Sequence, residues 1–200
     1  PGDEFEGVWS PDGSKIAFTS NRKGALDLYQ KAASGAGDEE LLYANAFNKY
    51  PQGYSPDGRF LLYIEIGAGS GQDLWVLPLS GERKPSVFLK TPSNEGLGAQ
   101  FSPDGHLVGY ASNESGQNEV YVKPFPGPGA TWRVSTAGGN LIRWRRDGRE
   151  IFYASLPAPG SRRSIMSAAV ASQDDRFTIG EVRPLFDFVS SSQRYSYDVT

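Results

Sequence analysis

Two hundred residues with a formal net charge of −3 are enough for a sizeable core, and that slight acidity argues against a general nucleic-acid binder. The chain has no cysteine, which excludes disulfides and thiolate chemistry and fits an oxidising compartment as well as the cytosol. No apolar run approaches the roughly 18 residues of a membrane helix, no signal peptide opens the chain, and 24 glycines with 14 prolines suit tight turns rather than helices.

One pentapeptide organises the rest. Trp9-Ser10-Pro11-Asp12-Gly13 returns as Tyr54-Ser55-Pro56-Asp57-Gly58, as Phe101-Ser102-Pro103-Asp104-Gly105 and, worn, as Trp144-Arg145-Arg146-Asp147-Gly148, with steps of 45, 47 and 43 residues between the aspartates. Self-similarity at that period, with four short strands per unit, predicts the blades of an all-β propeller. Each unit opens on a short strand ending in the aromatic. Pro-Asp-Gly then turns the chain, proline pre-setting φ and glycine accepting a positive φ.

The second strand alternates. Ile16, Leu61, Val108 and Ile151 stand four residues after the turn aspartate, and Phe18, Tyr63, Tyr110 and Tyr153 six after it, the period-two signal of a sheet buried on its faces. Polar loops lead to a third strand around Asp27-Leu28-Tyr29, Asp73-Leu74-Trp75-Val76, Glu119-Val120-Tyr121-Val122 and Ser164-Ile165-Met166. Outer strands are expected near 41–43, 87–89, 132–135 and 182–186. The units fall at about 5–45, 46–92, 93–137 and 138–188 in one domain, with almost no helix.

Tyr197-Asp198-Val199-Thr200 reads as the run-up to another turn, so 189–200 is expected to be the first strand of a fifth unit. The chain enters a repeat at once after Pro1; we read it as a piece of a longer protein and an arc of a larger ring, with a closed four-blade ring as the alternative. Stacked aromatics hold such blades together, and truncating Trp9, Phe101 or Trp144 to Ala is expected to cost about 3–5 kcal/mol each.

The Ser-Pro-Asp-Gly units resemble the WD40-like repeats of TolB-type propellers across nearly the whole chain. A narrower resemblance runs through Ala111-Ser112-Asn113-Glu114-Ser115-Gly116, Tyr121-Val122-Lys123-Pro124-Phe125-Pro126-Gly127, Trp132-Arg133-Val134-Ser135, Gly148-Arg149-Glu150-Ile151-Phe152-Tyr153 and Pro184-Leu185-Phe186-Asp187. This part looks like the C-terminal propeller of bacterial transmembrane serine/threonine kinases. The resemblance implies a sensor or interaction module outside the cytoplasm, the cytoplasm itself remaining open. It implies no kinase activity, because the kinase Gly-rich loop, His-Arg-Asp and Asp-Phe-Gly are all missing. Related propellers precede hydrolase domains in the prolyl oligopeptidase family, but no Gly-x-Ser-x-Gly elbow occurs here.

Candidate chemistry is sparse. His106, the one histidine, follows a turn where other units carry Ser14, Arg59 and Arg149, so it is expected to be exposed rather than a catalytic base. Asp12, Asp57, Asp104 and Asp147 are read as carboxylates capping backbone N–H groups of their turns. Asp27, Asp73 and Glu119 recur before the third strand and are read as hydrogen-bond acceptors rather than calcium ligands, which must converge in sixes or more. Gly67-Ala68-Gly69-Ser70-Gly71 lacks the Gly-Lys-Ser/Thr of a phosphate cradle. Pro124-Phe125-Pro126-Gly127-Pro128-Gly129 is a stiff connector whose Phe125 is a candidate anchor.

The reading is therefore a non-catalytic binding module for a protein, peptide or small ligand, with no cofactor and no metal. It would use loops entering each innermost strand: Phe47, Asn48 and Lys49; Asn94 and Glu95; Asn140 and Arg143, all expected to converge on the axis. Arg145, Arg146, Arg149, Arg162 and Arg163 form a candidate docking patch for an acidic partner. Open propeller ends would favour self-association; neither nucleic-acid binding nor direct membrane insertion is expected. The alternative is an accessory propeller that gates or docks substrate for a kinase or prolyl-oligopeptidase-like domain elsewhere in the protein.

Overall fold

The computed structural model describes residues 3–67, 71–156, 162–173, 176–188, 197 and 199, and contains no helix among them. Four antiparallel sheets follow one another, each of four strands in chain order. They are β1 (Glu4–Trp9), β2 (Lys15–Lys23), β3 (Ala25–Ala32) and β4 (Glu40–Tyr43); β5 (Asn48–Tyr54), β6 (Phe60–Ile66), β7 (Gln72–Pro78) and β8 (Ser86–Leu89); β9 (Gln100–Phe101), β10 (Leu107–Ser112), β11 (Glu119–Pro124) and β12 (Trp132–Arg133); and β13 (Gly139–Trp144), β14 (Glu150–Ser155), β15 (Arg163–Gln173) and β16 (Arg176–Phe188). The first two sheets form one compact unit, Pro1–Gly96, and the last two another, Leu97–Thr200.

The repeated turn is built the same way each time. Gly13, Gly58, Gly105 and Gly148 hold φ of 69°, 70°, 76° and 72°, a left-handed conformation that side chains resist. The turn aspartate accepts the N–H two residues on, at 3.0 Å in all four copies. In the first three copies the serine hydroxyl also donates to that carboxylate. In the fourth, Arg145 replaces the serine and its guanidinium supplies the donors, at 2.8 and 2.7 Å.

The four turn aromatics share one setting. Trp9, Tyr54, Phe101 and Trp144 lie opposite Ile16, Leu61, Val108 and Ile151. On the same face, second- and third-strand rings stack as Phe18–Tyr29, Tyr63–Trp75 and Tyr110–Tyr121, with centroids 6.0, 6.4 and 5.8 Å apart. We call this the aromatic face of a sheet and the other its reverse face. In the first unit the reverse face of sheet one (Val8, Ala17, Leu28, Leu42) covers the aromatic face of sheet two (Tyr54, Leu61, Tyr63, Leu77). In the second unit Ala111, Val120, Val122 and Val134 of sheet three cover Trp144, Ile151 and Tyr153 of sheet four. Small residues make room: a Cβ on Gly109 would stand 3.1 Å from Ile142 and 3.3 Å from the Trp144 indole.

Three expectations change. Trp9 is not core but 61% exposed, because no sheet of its unit lies on the aromatic face of sheet one. Phe125 is no free anchor: it is half-buried and meets Phe101 edge-on, with centroids 5.0 Å apart. The fourth outer strand, expected at 182–186, runs for 13 residues as β16. It pairs with β15 as far as Gln173, whereas β14 backs β15 only to Ala169. The overhanging arm turns Val170 and Phe177 into the second unit's core, where Phe177 meets Trp132 at 5.2 Å. Apart from Tyr197 and Val199, the fifth-unit strand expected over 189–200 lies outside the described residues, as does the middle of the loops at 67–71 and 156–163.

Candidate binding site

In the first unit, the loops entering β5 and following β8 grip the preceding third strand in the same way. Asn48 Oδ1 accepts the Leu26 N–H and Asn94 Oδ1 the Gln72 N–H, both at 3.0 Å. The neighbouring residues turn inward. Lys49 is fully buried, and its ammonium donates to Asp27 Oδ1 at 2.9 Å and to the carbonyls of Phe47 and Asn45 at 2.5 and 3.4 Å. Glu95, also fully buried, accepts the Thr91 hydroxyl, and its N–H donates to Gln72 O at 2.8 Å. Lys49 and Glu95 therefore brace the loops instead of lining a contact surface. Phe47 remains 37% exposed, and Ile66, which pairs with Asn48 across β5 and β6, is 36% exposed.

The acid at the head of each third strand is the feature whose partners the sequence hid. Asp27, Asp73 and Glu119 are all buried, and each meets one cation from a different place. Lys49 comes from the next sheet's inner strand, Lys90 from just beyond β8 at 2.6 Å, and Arg133 from β12 at 2.6 Å. Burial alone would raise the Glu119 pKa; donors from Ser135, Gln117, Arg133 and the Gly138 N–H outweigh it and hold the carboxyl below its ordinary value. In sheet four the matching position is Ser164, and the acid is Asp187 on the partner strand, bonded at 2.6 Å. These carboxylates are committed to cations and hydroxyls of the fold, and no group of three or more His, Cys, Asp or Glu among the described residues is arranged to hold a metal ion.

In the second unit, Asn140 is buried and takes a hydrogen bond from Arg163. Arg143 is half-buried, donates to the Ile142 carbonyl at 2.8 Å and lies over the Tyr197 ring. The five arginines do not make one patch. Arg145, Arg146 and Arg149 surround the turn before β14, with Arg145 held by Asp147 and Glu150. Arg162 and Arg163 stand at the opposite end of that strand, about 20 Å away at ~3.3 Å per residue. His106 is exposed and engages its turn through its backbone N–H.

At the turn end of the first unit, Ser14, Lys15, Tyr54, Asp57 and Arg83 line a cavity of ≈ 360 Å³. Burial, with help from Asp12 and Glu40, pushes the Tyr54 hydroxyl up to about 12, so it stays protonated. Ser10 and Ser14 hold Asp12 at about 2, and Ser55 and Arg59 do the same for Asp57. Neither carboxylate is poised to accept a proton near neutrality.

No protein-family model matches the chain. Over 143 residues it is 34% identical to tricorn protease homolog 1 of Streptomyces coelicolor, covering 70% of this chain and 12% of that protein. A structure assigned as TolB from Agrobacterium tumefaciens superposes with a TM-score of 0.76 at 21% identity, covering 91% of this chain and 64% of that one. TolB from Acinetobacter baumannii gives 0.69 at 21% identity, covering 89% and 43%, and the tricorn protease gives 0.60 at 13%, covering 86% and 20%. The chain thus spans less than two thirds of each of these relatives. At such identities the structural likeness is one of fold: the four sheets are β-propeller blades, like those of the TolB structures. The narrower resemblance to kinase-borne propellers has no counterpart among these four.

Proposed function

We propose that this chain is a non-catalytic propeller module that binds a protein or peptide, as sensor or scaffold of a larger bacterial protein outside the cytoplasm. The observation that carries the reading is the Phe47 loop. The Phe47 side chain is 37% exposed while the ammonium of Lys49, two residues on, ties down the carbonyls of Asn45 and Phe47 from inside. A rigidly presented, part-exposed aromatic, with part-exposed Ile66 on the adjoining strand, is the usual form of a binding hot spot. Asn48 and Asn94 border it as polar contacts, and Asn140 and Arg143 are the candidate counterparts in the second unit. Among the described residues no helix is long and apolar enough to cross a membrane. The four blades are read as an arc of a larger ring.

The test is selection of displayed peptides on the immobilised protein. Phe47→Ala should leave the protein folded at a cost of about 1–2 kcal/mol and weaken a selected peptide by about tenfold or more. A selected panel whose affinity ignores Phe47 would refute the reading. The 34% identity to a tricorn protease homologue supports a second reading, in which the blades dock or gate substrate for a peptidase domain. The gene on either side of residues 1 and 200 decides it: a hydrolase domain there supports this reading, and its absence removes it.

A further inference from the structure

The head of the third strand in sheet two carries more acid than its cation balances. In sheets one and three that acid faces a serine: Ser20 lies opposite Asp27, and Ser112 opposite Glu119. The matching position, eight residues after the turn aspartate, is Glu65 in sheet two, where the other units carry Ser20, Ser112 and Ser155. Glu65 lies directly opposite Asp73, and both are buried. Like charges directly opposite each other on a sheet destabilise it, and burial adds to the cost. The serine of the other units would avoid both penalties.

One cation serves the two carboxylates. Lys90 donates to Asp73 Oδ2 at 2.6 Å, and Asp73 first, then the charges of Glu65 and Glu95, raise its pKa. Glu65 Oε2 takes only a neutral donor among the described residues, the Asn45 amide at 2.7 Å. Asp73 Oδ1 has no hydrogen-bond partner among the described residues, and neither has the Tyr63 hydroxyl. Tyr63 is fully buried and stands two residues before Glu65, so the two share a face. Burial and then the Glu65 charge push that hydroxyl up, which places it beside the pair. The way in from solvent is the one Lys90 takes: its side chain is 50% exposed, where that of Asp73 is 2%. A lysine that swings out recovers its hydration and its freedom. The Phe47 loop stands at the same end of the sheet, because Asn45, the donor to Glu65, accepts the Phe47 N–H at 2.8 Å. From β5 to β7 is about 10 Å, the span of about three extended residues.

We propose that the Glu65–Asp73 pair receives a basic side chain of the bound peptide, an arginine or lysine whose cation displaces Lys90 and bridges the two carboxylates, while an apolar residue about three positions away rests on Phe47 and Ile66. This inference rests on the peptide-binding reading above and gives the partner its chemistry. Lys90 is a place-holder: it covers Asp73 in the free protein and yields to a cation that can engage both acids, as the planar fork of a guanidinium does.

Peptides selected on the wild-type protein, titrated against Glu65→Ser and Lys90→Gln, test this. Glu65→Ser should melt no lower than wild type, because it removes the like-charge opposition. The selected peptides should carry Arg or Lys about three positions from an apolar residue. Changing that basic residue to Met should weaken binding by about tenfold or more on wild type, and by less than about twofold on Glu65→Ser. Lys90→Gln should bind the basic peptide more tightly, since a neutral amide replaces the competing ammonium. Peptides that depend on Phe47 but carry no basic residue overturn the inference and leave the Phe47 reading standing. So do a basic residue worth as much on Glu65→Ser as on wild type, a lower melting temperature for Glu65→Ser, or weaker binding by Lys90→Gln. Peptides indifferent to Phe47 remove both.

Discussion

Lys49 has no exposed side-chain surface, and Asp27, 2.9 Å from its ammonium, is nearly as sheltered. Desolvating two charges offsets much of their attraction, so such a pair adds little net stability, yet removing one member strands the other. Lys49→Met should therefore destabilise by about 3–5 kcal/mol, and combining it with Asp27→Leu should restore most of the loss; equilibrium denaturation of the two variants measures both. Half of this arrangement was legible in the sequence, since Asp27, Asp73 and Glu119 recur in register. The cations were not, because Lys49, Lys90 and Arg133 follow their acids by 22, 17 and 14 residues and come from different strands. A repeat advertises what it repeats, and a charge balanced locally by whatever side chain is in reach leaves no period. The same blindness placed Lys49 and Glu95 among the contact residues: a polar side chain in a loop reads as exposed until its buried partner is known.

Strands and turns were legible because their physics is local: alternation for the second and third strands, and Pro-Asp-Gly for the bends. Burial depends on neighbours, which is why equivalent aromatics diverge. Trp144→Ala should cost about 3–5 kcal/mol, whereas Trp9→Ala should stay within about 0.5 kcal/mol, both read from denaturant midpoints. Equal losses would show that register alone, and not cover, sets the energy. The β15–β16 arm escaped the sequence reading for a related reason. Beyond Ala169 no third strand backs it, so its outward positions Ala171, Gln173, Arg176 and Thr178 are all exposed. Only Val170, Phe177 and Ile179 mark the inner side, too few to show an alternation.

Across the whole molecule the repeated turn sums into an acid response. Ser10 and Ser14 hold Asp12 at about 2, Ser55 and Arg59 hold Asp57 at about 2, and Arg145 with the Arg149 N–H holds Asp147 at about 2, against an ordinary 3.8. Groups depressed on folding stabilise the folded state fully above their unfolded value and lose that contribution as pH falls through the folded one. Stability should thus decline between about pH 4 and about pH 2, and combining Asp12→Asn, Asp57→Asn and Asp147→Asn should flatten that decline in denaturation midpoints taken across the range. An unchanged slope would place the acid sensitivity elsewhere, with Glu119 the first alternative.

The overhanging arm also sets a timetable for synthesis. Trp132 finds its cover in Phe177, 45 positions downstream, so a ribosome must extrude most of the fourth blade before the third is sealed. The third blade therefore waits on its successor with an indole unsheltered in the nascent chain, while the cluster that joins the first two sheets, drawn wholly from the Pro1–Gly96 half, can form much earlier in translation.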